Sequence, residues 1–127
     1  MKKSMLVTAM ICAVTYAPIA SAQSLSGAQK NAVRSAKSYL NLKGFSREGL
    51  IEQLSSEYGD GYNITDATAA VDSLSVDWNE QAARSAEDYL NLQGFSCNGL
   101  IQQLSSSAGD KFTKSQATYG AKKAGAC

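Results

Sequence analysis

The sequence predicts an all-α protein built from two tandem helix-turn-helix-like modules of about three short helices each. Three observations carry that prediction. A segment of the chain repeats itself at a constant offset of fifty residues, apolar residues recur at helical spacing between cap signatures, and an N-terminal apolar segment marks off a leader from the part that folds. Ala32 to Tyr62 reads AVRSAKSYLNLKGFSREGLIEQLSSEYGDGY, and Ala82 to Phe112 reads AARSAEDYLNLQGFSCNGLIQQLSSSAGDKF. No gap is needed, and roughly two thirds of the aligned positions are identical, which is the signature of a duplicated module.

In the first copy, Ser26 with Gln29 three residues on has the form of a capping box and starts a helix through about Leu40. Ala32, Ala36, Tyr39 and Leu40 fall on one face of it. Asn41 to Gly44 ends the helix, with Gly44 expected as a left-handed stop. Ser46 caps a second helix, Arg47 to Ser56, whose apolar face is Leu50, Ile51 and Leu54, and Phe45 precedes the cap where it can staple the entry. After a Gly-Asp-Gly turn region, Thr65 is expected to cap a third helix from Asp66 to about Leu74, with Ala67, Ala70, Val71 and Leu74 inward. The second copy restarts at Asp77, with Glu80 at the box position, and its last helix runs from Ser115 to about Lys123. Ser75-Val76-Asp77 is a very short linker, so Val76 and Trp78 are expected to pack between the modules. Gly49 and Gly99, in the first turn of each second helix, are read as close-approach sites for the first helix, and Tyr39, Tyr89, Phe45 and Phe95 as core.

Residues 1–22 read as a signal peptide. Lys2 and Lys3 precede the apolar run Met5 to Ala17, Pro18 breaks it, and Ala20-Ser21-Ala22 places small residues where a signal peptidase reads, so cleavage is expected between Ala22 and Gln23. The alternative is retention as an anchor, the one route by which this chain would meet the membrane. The first module then spans 23–75 and the second 76–127. With Lys2 and Lys3 gone, ten basic residues face 11 acidic ones, a near-neutral balance that argues against nucleic acid and against anionic lipid surfaces.

The absence of histidine removes the commonest metal ligand and the usual general base near neutral pH. The many serines fall at caps and helix ends, and Glu48, Glu52, Glu57, Glu87 and Asp88 lie on solvated faces. Asp60 and Asp110 recur at matching positions, where Gly-Asp turn chemistry explains them. No nucleophile with its base, no paired carboxylates and no metal set emerges, so catalytic, cofactor and metal residues are expected to be absent and the protein is read as a binder. REGLIEQL is balanced in charge and CNGLIQQL carries no basic residue, so the helix-turn-helix shape is not accompanied by a DNA-reading face.

Cys97 replaces Arg47 of the first copy and Cys127 is the final residue. In an exported chain this pair reads first as an internal disulfide, worth roughly 3 to 4 kcal/mol for a loop of this length. An intermolecular bond through Cys127 is the alternative. The product is expected to be a monomer.

SAKSYL from Ser35, GFSREGLI from Gly44, GDGY from Gly59 and VDWNEQA from Val76 resemble the repeat of the host cell surface-exposed lipoprotein family, over about Gly27 to Gly120. The resemblance implies modules displayed outside the cytoplasmic membrane. It further implies a prophage-type superinfection-exclusion protein that stops an incoming phage from injecting its DNA, with the phage tape measure protein as partner. It carries over no catalytic residue. The family's lipid anchor is a point of departure: Ile11, not a small residue, precedes Cys12, so a periplasmic or secreted product is expected. The alternative function is a periplasmic binding or inhibitor module acting on a host or competitor envelope protein. No partner-binding residue is singled out.

Overall fold

Ser26 opens the first helix as the capping box requires: its Oγ accepts the Gln29 amide at 3.2 Å, and Gln29 Oε1 accepts the Ser26 amide at 3.0 Å. The structure, a computed structural model, describes residues 24–127. The signal segment, the Ala22–Gln23 cleavage site and Cys12 lie outside the described residues. Helix α1 spans Gly27–Leu42, α2 Arg47–Ser55 and α3 Ile64–Asp72. The second copy repeats the plan with α4 Trp78–Leu92, α5 Cys97–Ser105 and α6 Lys114–Lys123. The described residues are all-helical, two tandem helix-turn-helix-like units, as the repeat predicts.

Caps fix most boundaries. Ser46 and Ser96 accept the amides of Gly49 and Gly99, Asp77 accepts that of Glu80, and Thr113 with Gln116 forms a second capping box. Helix α3 starts before the expected Thr65 cap because Asn63 Oδ1 accepts the Thr65 amide at 2.8 Å, a side-chain turn that takes over the cap. Glu80 does not close a box on Asp77. Its carboxylate is drawn across to α6 instead, accepting from Tyr119 Oη at 2.8 Å and Lys123 Nζ at 2.5 Å.

Each unit has its own small core. Ala36, Leu50, Ile51, Leu54, Ala67 and Val71 form one, and Ala82, Ala86, Leu100, Leu104, Phe112, Ala117 and Ala121 the other. The third helix of each unit packs on both of its partners, which touch each other far less. Alanine on the facing surfaces lets these helices approach closely. Tyr39 meets Phe45 edge-on at 5.7 Å and Tyr89 meets Phe95 at 5.6 Å, so the same aromatic pair caps both cores. Trp78, the first residue of α4, packs against the core of the first unit and so straddles the junction.

Two glycines serve purposes other than those expected. Gly44 is not a left-handed stop: α1 ends on Lys43 in extended geometry, and the positive-φ residues in the described chain are Gly61, Lys111 and Gly125. Gly44 is buried because a Cβ there would stand 2.5 Å from the Gln81 carbonyl oxygen and 2.5 Å from Ser85 Oγ of α4. Gly49 and Gly99 do not admit the first helix. A Cβ at either would crowd the capping hydroxyl of Ser46 (2.9 Å) or Ser96 (2.8 Å).

Candidate protein-binding site

The seam between the two units is made by loops and side chains, not by helix-on-helix packing. The α1–α2 turn, Lys43 to Ser46, forms a knuckle that seats on α4 and on the α5–α6 turn. At its centre Gly44 lets the backbone touch α4. Beside it the Phe45 amide donates to Gln81 Oε1 at 3.3 Å. Arg84 Nη1 donates to the Leu40 carbonyl at 2.7 Å, satisfying an acceptor that the end of α1 leaves without an intrahelical partner. The Ser46 hydroxyl, already the cap of α2, donates to the Asp110 carbonyl, and Lys111 pairs with Glu52 across the seam.

Asp110 is the most constrained titratable group there. Its Oδ1 accepts from Tyr89 Oη at 3.0 Å, and Tyr89 Oη in turn accepts from Gln103 Nε2 at 3.2 Å. Its Oδ2 is buried and has no hydrogen-bond partner among the described residues. Burial pushes the Asp110 carboxyl above its ordinary range, against the Tyr89 hydrogen bond and the Lys43 charge. The first unit repeats the relay in the open: Gln53 Nε2 to Tyr39 Oη at 3.3 Å, and Tyr39 Oη to Asp60 Oδ1 at 2.7 Å. Turn chemistry therefore accounts for only part of why an acid recurs at 60 and 110; each also ties its turn to the first helix of its unit.

An open cleft of about 290 Å³ runs along the seam, lined by Lys43, Phe45, Glu52, Tyr58, Asp110 and Lys111 among others. Tyr58 at its rim is 95% exposed, and Leu42, Leu92 and Ile64 are further large apolar side chains left in solvent. Among the described residues no group of three or more potential metal ligands assembles, and no helix is long and apolar enough to cross a membrane.

The structure brings Cys97 and Cys127 together, their Cα atoms 4.7 Å apart, within the span a disulfide bridges. The first unit closes the equivalent joint with charge. Arg47, the counterpart of Cys97, forks onto Asp72 with Nε to Oδ1 at 2.7 Å and Nη2 to Oδ2 at 2.8 Å. The seam residues Gly44, Ser46, Arg84 and Asp110 were not singled out as contacts from sequence, because the repeat prints nearly the same residues on both units. The available signal was the departure at Lys111, a lysine where the first copy has Gly61.

Two stacked units of one repeat, each with its own core and joined by a tight linker, define a duplicated helix-turn-helix-like module. The chain belongs to the host cell surface-exposed lipoprotein family, whose model matches residues 28–74 and 77–123. Among solved structures it is similar to Ltp, a superinfection exclusion protein from the Streptococcus thermophilus temperate phage TP-J34. The identity is 31%, the TM-score 0.70, and the match covers 78% of this chain and 97% of that one. No curated protein matches the chain.

Proposed function

We propose that this chain is an exported superinfection-exclusion protein of the temperate-phage type, blocking DNA injection by binding the ejection or tape measure protein of an incoming phage. The observation that carries the reading is the likeness to Ltp over 97% of that chain, both units included. A display site outside the cytoplasm fits the family's description and the reading of residues 1–22 as a signal peptide cut between Ala22 and Gln23. In that oxidising setting Cys97 and Cys127 form an internal disulfide that stands in for the Arg47–Asp72 clasp of the first unit. The modules, 23–75 and 76–127, act by binding.

Expression in a phage-sensitive host tests the reading. Phage should adsorb normally while their DNA fails to enter, and the tape measure protein should co-purify with the chain. Equal loss of adsorption, or normal plating of every phage tried, would overturn it. The disulfide is tested on the intact protein, which should show no reactive thiol and the mass of one chain; a covalent dimer would exclude the internal bridge.

A further inference from the structure

The contact between the two units is heterologous: a knuckle of the first unit enters a recess on the second. Such a contact joins two unlike faces, so copies that repeat it build a ring or an open filament. Because both units carry the same fold, each end of the molecule shows one half of the same contact unused. The second unit's knuckle is Gln93 to Ser96. Gly44 and Ser46 are buried by the seam, whereas Gly94 and Ser96 are exposed. A Cβ at Gly94 would meet nothing within 4 Å, and Gly94 is not among the positive-φ glycines, so nothing within this chain requires glycine there.

The complementary recess lies open on the first unit, a hollow of about 320 Å³ lined by Asn31, Arg34, Ser35, Ser38 and Tyr62. Asn31, Arg34 and Ser35 are the repeat counterparts of Gln81 and Ser85, which receive Gly44, and of Arg84, which bonds the end of α1. Among the described residues, the Arg34 guanidinium meets no acceptor, while Arg84 donates to the last turn of α1. The last turn of α4 offers the equivalent carbonyl at Leu90.

We infer that the protein self-associates head to tail, the Gln93–Ser96 knuckle of one copy seating in the Asn31–Arg34–Ser35 recess of another, as the knuckle of the first unit seats on the second. The occupant is a second copy because the two halves belong to one established interface and are presented by the same chain. Three contacts carry over: glycine against the serine of the receiving helix, here Ser35 with its hydroxyl held by Tyr62 Oη at 3.1 Å where the second unit has Phe112, arginine to a helix-end carbonyl, and the Ser96 hydroxyl to the Asp60 carbonyl. Two are weakened. Glu52–Lys111 becomes Gln102 facing Gly61, and Gln81 becomes the shorter Asn31. The association is therefore weak and concentration-dependent, with single chains in dilute solution.

Sedimentation equilibrium of the purified protein tests this. The average mass should rise above one chain as the concentration approaches roughly 1 mM. Gly94→Trp and Asn31→Trp each alter an exposed position, and each variant, folded by circular dichroism, should remain a single chain at all concentrations. Mixed in equal amounts they should form a two-chain complex and nothing larger, since each supplies the half the other lacks. The triple variant Asn31→Gln, Gly61→Lys, Gln102→Glu restores the weakened contacts, with lysine at the left-handed position that Lys111 itself occupies (φ 62°); it should associate at least about tenfold more tightly. A wild-type protein that stays a single chain throughout, association that persists in either tryptophan variant alone, a mixture without a two-chain complex, or a triple variant no tighter than wild type would each overturn the inference.

Discussion

Gly44 and Gly94 hold the same place in the repeat but bear different constraints. A methyl group at Gly44 meets the backbone of α4, which cannot retreat without carrying its helix with it. Gly44→Ala should therefore cost about 1–3 kcal/mol in urea unfolding, whereas Gly94→Ala should stay within about 0.5 kcal/mol; equal effects would contradict the assignment. Identical GFS contexts hide this difference from the sequence, since the constraint comes from the neighbouring unit. The substitution of Arg47 by Cys97 was legible as a departure, but that both serve one joint emerges only from the geometry. The fork from Arg47 holds the Asp72 carboxyl below its ordinary range, so its stabilisation is present above the unfolded value and is lost as pH falls through the folded one. Asp72→Asn should lower stability at pH 6 by up to about 1 kcal/mol, since both partners are well exposed, and the gap to wild type should close in acid; a constant gap would exclude the ion pair as its source. Asp110 has the opposite sign. Burial raises its carboxyl, so its contribution turns unfavourable as pH rises between the unfolded and folded values. Carboxyl NMR should place its midpoint above about 3.9, and a midpoint at or below that value would refute the burial argument.

The helices were largely legible because caps are local. Ser26, Ser46, Asp77 and Ser96 each mark a helix start in a few residues of sequence, and each accepts the amide three residues on. The start of α3 was less legible because Asn63 and Thr65 both offer a capping oxygen, and only the backbone decides between them. What the sequence did not reveal is how closely each pair of helices crosses. Gly120 lies against the backbone of Ala82, 2.6 Å from where its Cβ would stand, while its counterpart in α3 is the buried Ala70. The second unit has thus closed α4 onto α6 more tightly than alanine permits. Gly120→Ala gains about 1 kcal/mol of helix propensity but overpacks the crossing by about 1–3 kcal/mol. The melting temperature should fall; an unchanged or higher value would mean that the two helices can part at little cost.

At the scale of the whole molecule, two cores this small are stabilised by being joined. The seam couples them through the buried Gly44 contact, the Arg84 bond to α1, the Glu52–Lys111 pair and Trp78 lying on the first core from the second unit's helix. A tight linker predicted proximity of the units, but not which loop would enter which recess, because repeated residues offer each loop two equivalent destinations. Repeat proteins lose cooperativity when the interface between units weakens. The wild-type protein should therefore unfold in one transition, with the fluorescence of its single tryptophan coinciding with far-UV circular dichroism. Combining Gly44→Trp with Glu52→Gln and Arg84→Ala breaks the buried glycine contact, the ion pair and the arginine bond while leaving Trp78 on the first core; the added tryptophan then reports from the seam as Trp78 does. Fluorescence should now change at lower denaturant than the bulk of the helical signal, and reduction of the proposed Cys97–Cys127 disulfide should lower the stability of the second unit alone by roughly 3 kcal/mol. Coincident transitions in the seam variant would mean that the units depend on one another through the linker and Trp78, and not through the three contacts removed.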